Sequence, residues 1–145
     1  MKDVTYTVTA ESKTATRLDV SARDFTMIID EPAKLGGDDA GPNPLEYELA
    51  ALAGCLNVTG HLVAREMGIT MDDLTMTLSG SLNPARFMGR SEEERAGFKT
   101  INVDLKPTST ADGATLEKWR AAVEDRCPVS DNLGGGTSLN VKITM

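Results

Sequence analysis

The chain is 145 residues long, 40% apolar and 26% charged, with a net charge of −7, a size that fits one folded domain over residues 1–145. The acidic balance argues against a nucleic-acid partner, whose phosphates call for clustered Lys and Arg, and aromatics at 4% are too few for base-stacking platforms. No run approaches the ~18 apolar residues of a membrane span, and Met1-Lys2-Asp3-Val4-Thr5 enters strand-like alternation without a signal-peptide hydrophobic region, so a cytoplasmic protein with no membrane partner is expected.

Val4, Tyr6 and Val8 alternate with threonines and predict a first strand. Thr14 to Val20 predicts a second and Phe25 to Ile29 a third. Asp30 to Gly41 is rich in Gly and Asp and reads as a connector; Asp38 and Asp39, with no following Gly-Lys-Ser/Thr, speak against a phosphate cradle. Asn43-Pro44 marks a helix start, with Asn as cap and Pro at the first helical position. Leu45, Leu49, Leu52, Leu56 and Val63 then share one helical face, while Ala50, Ala51, Ala53 and Gly54 keep the other faces small or apolar. A helix with this pattern is expected to be buried, in part against a partner chain, and to stop at Gly68 after about 37 Å. Leu74-Met76-Leu78 and Ile101-Val103-Leu105 predict two more strands, joined by a solvated connection over 83–97. Thr115 to Arg126 reads as an amphipathic helix with Trp119 in the core, and Leu139-Val141-Ile143 as a closing strand. The order predicts an α+β domain.

The chemistry-bearing residues are few: Cys55, Cys127 and a single histidine, His61. There is no CxxC, and a zinc site would need both thiols, His61 and a carboxylate, so no metal is expected. His61 lies on the central helix at a phase that points away from Cys55 and reads as a hydrogen-bonded structural residue. Two unrelated buried thiols are one reading of the cysteines. Cys127, however, precedes Pro128 and the start of a short helical turn, where backbone N–H groups favour a thiolate. Cys55 lies mid-helix in apolar surroundings that raise its pKa; to react, it would need a cation brought by tertiary structure, with Arg17 or Arg23 as candidates and a carboxylate to orient the arginine.

The run Gly41-Pro42-Asn43-Pro44-Leu45-Glu46-Tyr47-Glu48-Leu49-Ala50-Ala51-Leu52-Ala53-Gly54-Cys55, followed downstream by Cys127-Pro128-Val129-Ser130-Asp131-Asn132-Leu133, resembles the OsmC/Ohr family of osmotically inducible and organic-hydroperoxide-resistance proteins. The Asp30-Glu31-Pro32…Leu35-Gly36-Gly37 loop makes the chain most similar to the OsmC-related branch of less certain activity. The resemblance implies antiparallel sheets wrapped around long central helices in an intertwined homodimer. It further implies thiol peroxidase chemistry without metal or organic cofactor, in oxidative stress defence. Cys55 matches the peroxidatic cysteine, which would become a sulfenic acid, and Cys127 the resolving one, which would close a disulfide. An external dithiol, such as a protein-bound lipoyl group, would then reduce it.

The family's peroxidase pattern places an orienting glutamate directly after Asn-Pro, where this chain has Leu45. Glu46 is next, roughly opposite Cys55 in helical phase, and Glu48 is nearly in phase but about two turns away. The arginine role falls to Arg23, in Ala22-Arg23-Asp24-Phe25, with Arg17 as its alternative. Three functions compete: a cysteine-dependent peroxidase acting on organic hydroperoxides in preference to hydrogen peroxide; a non-catalytic dimer binding a lipophilic small molecule in an interface pocket; and a general thiol–disulfide exchanger, which would want a CxxC.

Overall fold

The computed structural model describes residues 1–144 and has an α+β architecture with two antiparallel sheets and three α-helices. Residues up to Ala50 form one compact unit and those from Ala51 another.

The first unit is a three-stranded meander of β1 (Thr9–Ser12), β2 (Leu18–Ala22) and β3 (Phe25–Ile29). β1 pairs with β2 from Thr9↔Ser21 to Ser12↔Leu18, and β2 with β3 from Leu18↔Ile29 to Ala22↔Phe25. The strand expected from Thr14 therefore starts only at Leu18. The cause is local: the Thr14 hydroxyl accepts from the backbone N–H of Arg17 at 2.8 Å, and the Lys13 N–H donates to the Arg17 carbonyl at 2.9 Å. A threonine side chain here offers the backbone a turn in place of a ladder.

The segment after β3 is organised by Asp30, whose side chain is fully buried. Its carboxylate accepts from the N–H groups of Glu31, Asp38 and Ala40 at 2.9, 3.1 and 3.2 Å. Burial alone would raise its pKa, but these donors and Thr16 outweigh it and hold the carboxyl below its ordinary value. The chain returns so closely that a Cβ on Gly37 would lie 1.8 Å from the Glu31 carbonyl oxygen. The connector read from the sequence is thus a closed loop around one carboxylate.

The central helix α1 (Pro44–Glu66) begins with a capping box. Asn43 Oδ1 accepts from the Glu46 N–H at 3.0 Å while Glu46 Oε2 accepts from the Asn43 N–H at 2.8 Å. Tyr47, on its first turn, donates its hydroxyl to the Ile28 carbonyl at 2.9 Å. The helix ends at Gly68, whose φ of +69° is the left-handed conformation that favours glycine.

In the second unit, β4 (Met71–Ser81) and β5 (Thr100–Ser109) form a long hairpin in register from Met71↔Ser109 to Ser81↔Thr100. The Phe98 ring seats on Gly80, where a Cβ would come within 2.6 Å of it. The helix α2 (Gly113–Arg126) is capped by Asp112, which accepts from the Thr115 N–H at 2.7 Å. The short α3 (Pro128–Gly135) follows directly. The core joins Leu52, Leu56, Val63 and Ala64 of α1 to Trp119 and Val123 of α2 and to Cys127, with Leu74, Met76, Leu78, Ile101 and Leu105 of the hairpin packed against them. Trp119 is a core residue, as its spacing predicts.

Two further expectations are corrected. The Val4–Tyr6–Val8 and Leu139–Val141–Ile143 segments are not strands in this chain; all six residues are exposed, Tyr6 and Ile143 each to 91%. Alternation supplies an apolar face, but a strand also needs a neighbour to satisfy its backbone, and among the described residues no strand pairs with either segment. On α1, Leu52, Leu56, Val63 and Ala64 are buried, while Ala51, Gly54, Val58 and Leu62 are exposed in the single chain, Val58 to 68%.

Candidate active site

Cys55 lies on α1 between Leu52 and Leu56, half-buried at the margin of the core. Cys127 is the single residue between α2 and α3 and is fully buried. Its extended backbone (φ −80°, ψ 111°) lets one residue serve as C-cap of the first helix and N-cap of the second, and Pro128 occupies the first position of α3. The fold brings the two thiols, from distant parts of the second unit, into one core cluster, with no disulfide between them.

The two sulfurs sit in unequal environments. For Cys127, burial pushes the thiol pKa up, but the Ser130 hydroxyl and the N–H groups of Ser130 and Val129 at the start of α3, together with the Cys55 thiol, outweigh it and bring the pKa below its ordinary value of 9.0. For Cys55, burial raises the pKa, and a Cys127 anion beside it raises it further; the Val129 N–H and the Thr59 hydroxyl pull the other way without overcoming them. Within this unit Cys127 is the better thiolate, in line with its helix-start position, and Cys55 the better proton holder, in line with its mid-helix position.

The remaining expected site residues all belong to the first unit. Arg23 opens the two-residue turn between β2 and β3 with a φ of +55° and lays its guanidinium over the Phe25 ring, 5.0 Å from the centroid. Arg17 pairs with Asp19, Nε to Oδ1, at 3.1 Å. Glu46 is engaged in the capping box with Asn43, and Glu48 is half-buried on the same helix. His61 is exposed and its Nδ1 lies 2.9 Å from the Asn57 carbonyl oxygen. Among the described residues no group of three or more His, Cys, Asp and Glu side chains gathers as a metal site, and no helix is long and apolar enough to cross a membrane. Two contributors to the site, Thr59 and Ser130, are absent from the sequence reading. Their signal is helical spacing: each follows its cysteine by one turn, which places a hydroxyl beside a sulfur.

Two free thiols in one core cluster, on an α+β scaffold, are what the second unit offers for chemistry. A family model described as OsmC-like protein matches residues 36–142, and the chain belongs to the OsmC-like family. Its structure is similar to that of an OsmC-like protein from Mycoplasma pneumoniae, at 24% identity over 92% of this chain and 90% of that one, with a TM-score of 0.80. It is also similar to an organic hydroperoxide resistance protein from Legionella pneumophila, at 24% identity over 93% of each chain and a TM-score of 0.67. A third similar structure is the organic hydroperoxide resistance protein OhrB of Bacillus subtilis, at 25% identity over 91% of this chain and 92% of that one, with a TM-score of 0.61. No curated protein matches the chain.

Proposed function

We propose that the protein is a cysteine-dependent peroxidase that reduces organic hydroperoxides, in preference to hydrogen peroxide, in cytoplasmic defence against oxidative stress. The observation that carries this reading is the convergence of Cys55 and Cys127, two free thiols drawn from distant parts of the chain, in one core cluster. The hydroperoxide-resistance names of the Legionella and Bacillus relatives point the same way.

In this reading the Cys55 thiolate attacks the distal peroxide oxygen, the O–O bond breaks, and the alkoxide leaves as alcohol after taking a proton, with Cys55 as the sulfenic acid. The Cys127 thiolate then attacks the Cys55 sulfur, forming the disulfide and expelling hydroxide, which leaves as water. An external dithiol, such as a lipoyl group on a partner protein, supplies the two electrons that restore both thiols. Because Cys55 is the more reluctant to ionise, it needs a cation, and we assign that role to Arg23, with Arg17 as the alternative; Glu46, or Glu48, would orient the guanidinium.

The working unit in this proposal is a homodimer. The exposed alternating segments at both ends of the chain, and the open groove on α1 lined by Asn57, Val58, His61, Leu62 and Arg65, are surfaces a second copy would cover.

The test is free-thiol content by mass spectrometry under denaturing alkylation, after one equivalent of cumene hydroperoxide or of hydrogen peroxide. Rapid loss of both thiols as one Cys55–Cys127 disulfide is expected, abolished in Cys55→Ser and replaced by a trapped sulfenic acid in Cys127→Ser. Persistence of both thiols for many minutes overturns the proposal, makes Leu45 at the usual glutamate position the reason, and favours a non-catalytic dimer that binds a lipophilic small molecule.

A further inference from the structure

From Ala51 to Arg65, α1 carries no acidic residue, although the chain has 22. One side of this stretch is buried through Leu52, Leu56, Val63 and Ala64. The other leaves Ala51, Gly54, Val58 and Leu62 exposed at steps of three and four, and its later half holds the groove of Asn57, Val58, His61, Leu62 and Arg65. A solvated helix face carries charged and polar residues; small and apolar residues at this spacing form a face that another surface covers. The single chain leaves 10916 Å² accessible, against about 7,200 Å² for a folded monomer of its mass. An obligate homodimer hides on the order of 1,000–2,500 Å² per chain. The surplus is large enough for such an interface, and a second copy is the usual partner.

His61 is the one histidine of the chain and stands in this groove. Its Nδ1 lies 2.9 Å from the Asn57 carbonyl oxygen, which can only accept. Nδ1 therefore carries the hydrogen of the neutral ring, and Nε2 is the nitrogen that takes a proton in acid. Among the described residues only α1 lines the groove, and the charged group beside His61 there is Arg65, one turn along. Glu66, the nearest carboxylate in the sequence, is taken by Arg126. A protonated ring thus stands beside a like charge, with no acid in the groove to offset it.

We propose that His61 makes the α1 groove a pH-sensitive interface between two copies of this chain, closed while the ring is neutral and weakened when it is protonated. The inference rests on the homodimer of the proposed function and adds to it a regulation by acid. An isologous interface uses the same surface of both chains, so each dimer covers two rings. An interface that accepts only neutral rings weakens by about tenfold per ring, on the order of a hundredfold in Kd, between about pH 7.5 and about pH 5.5.

The experiment is sedimentation velocity over a dilution series of the reduced full-length protein at these two pH values and equal ionic strength. It compares wild type with His61→Gln, which is polar and never charged, and His61→Lys, which is charged at both, with circular dichroism to verify folding. Wild type should dissociate on the order of a hundredfold more readily at the lower pH. His61→Gln should hold one Kd at both, and His61→Lys should be shifted toward the monomer at both. A wild-type Kd that ignores pH or tightens in acid, the full wild-type pH dependence persisting in His61→Gln, or a His61→Lys protein as dimeric as wild type at about pH 7.5 overturns the proposal and leaves the homodimer standing. A wild type that is monomeric at about pH 7.5 removes the homodimer and this proposal together. Neither result bears on the peroxide reading, which thiol oxidation tests separately.

Discussion

The indole N–H of Trp119 donates to the backbone carbonyl of Gly60 at 2.8 Å, across the interface between α2 and α1. Gly60 has no side chain to hold the rings apart, and a Cβ there would lie 3.1 Å from Trp119 Cζ2 and 3.2 Å from Leu74 Cδ2. Trp119 is 2% exposed and pinned by its hydrogen bond, which limits how far it can give way. Gly60→Ala should therefore destabilise the protein, although alanine ordinarily improves a helix interior by up to about 1 kcal/mol. Trp119→Ala should cost about 3–5 kcal/mol through the cavity it leaves. Urea denaturation of both variants measures these losses, and a Gly60→Ala protein more stable than wild type would show that the rings can move aside.

Asp30 ties the 30–41 loop by its charge. Its folded pKa lies below the ordinary 3.8, so the stability it contributes is fully present above that value and is lost as the pH falls through the folded pKa. Asp30→Asn should lower the thermal midpoint at neutral pH, and the gap from wild type should narrow in acid as the wild-type carboxyl takes up its proton. Melting curves at about pH 7 and about pH 3 measure this; a gap independent of pH would mean that the carboxylate charge contributes nothing to the loop.

Ser130→Ala removes the hydroxyl that most favours the Cys127 anion against its burial. In Cys55→Ser, which isolates Cys127, the thiolate absorbance reports on that sulfur alone, and the double variant with Ser130→Ala should titrate higher than Cys55→Ser. Resolution of the sulfenic acid should slow in Ser130→Ala at neutral pH in proportion to the lost thiolate fraction, while its formation at Cys55 is spared. Stopped-flow oxidation followed by quenched mass analysis separates the two steps.

The chain ends supply a test of assembly. Leu139, Val141 and Ile143 are 87, 85 and 91% exposed in the single chain, and alternation puts them on one face of an extended segment. Sedimentation should give twice the 15.5 kDa chain mass. Val141→Lys should shift it toward the monomer, whereas Asn140→Lys, on the opposite face, should leave it unchanged. A monomeric wild type would remove the homodimer from the proposed function.

The sequence carries the long elements well and the partners of its edges poorly. The Leu52-Leu56-Val63 face, the Asn43-Pro44 start and the Gly68 stop define α1 to within a residue or two, because caps and periodicity are local properties of the chain. Cys127 reads correctly as a helix-start thiol for the same reason, since Cys-Pro fixes the junction by itself. Thr14 shows the opposite case: its β-branched side chain suits a strand, but its hydroxyl closes a turn, and composition cannot rank the two. The terminal segments illustrate a further gap, for alternation declares a face without naming the strand that will pair with it. Arg23 and Glu46 show how a charged residue picked for chemistry can also have a local engagement, with Phe25 and with Asn43, that no spacing rule announces.

The junction at Cys127 has no slack. One residue ends α2 and begins α3, and its backbone dihedrals set the angle at which the two helices meet. A bond formed at its sulfur therefore either leaves the backbone alone and is made by side-chain rotation, or it turns both helices together like the arms of an elbow. Arg126, the residue before it, grips Glu66 near the far end of α1 through two guanidinium nitrogens, and Val129 and Leu133 of α3 pack against the core, so both arms of the elbow are held. With both arms held, a bond at this sulfur is left to side-chain rotation, and the junction acts as a fixed stop against which the two thiols would have to meet.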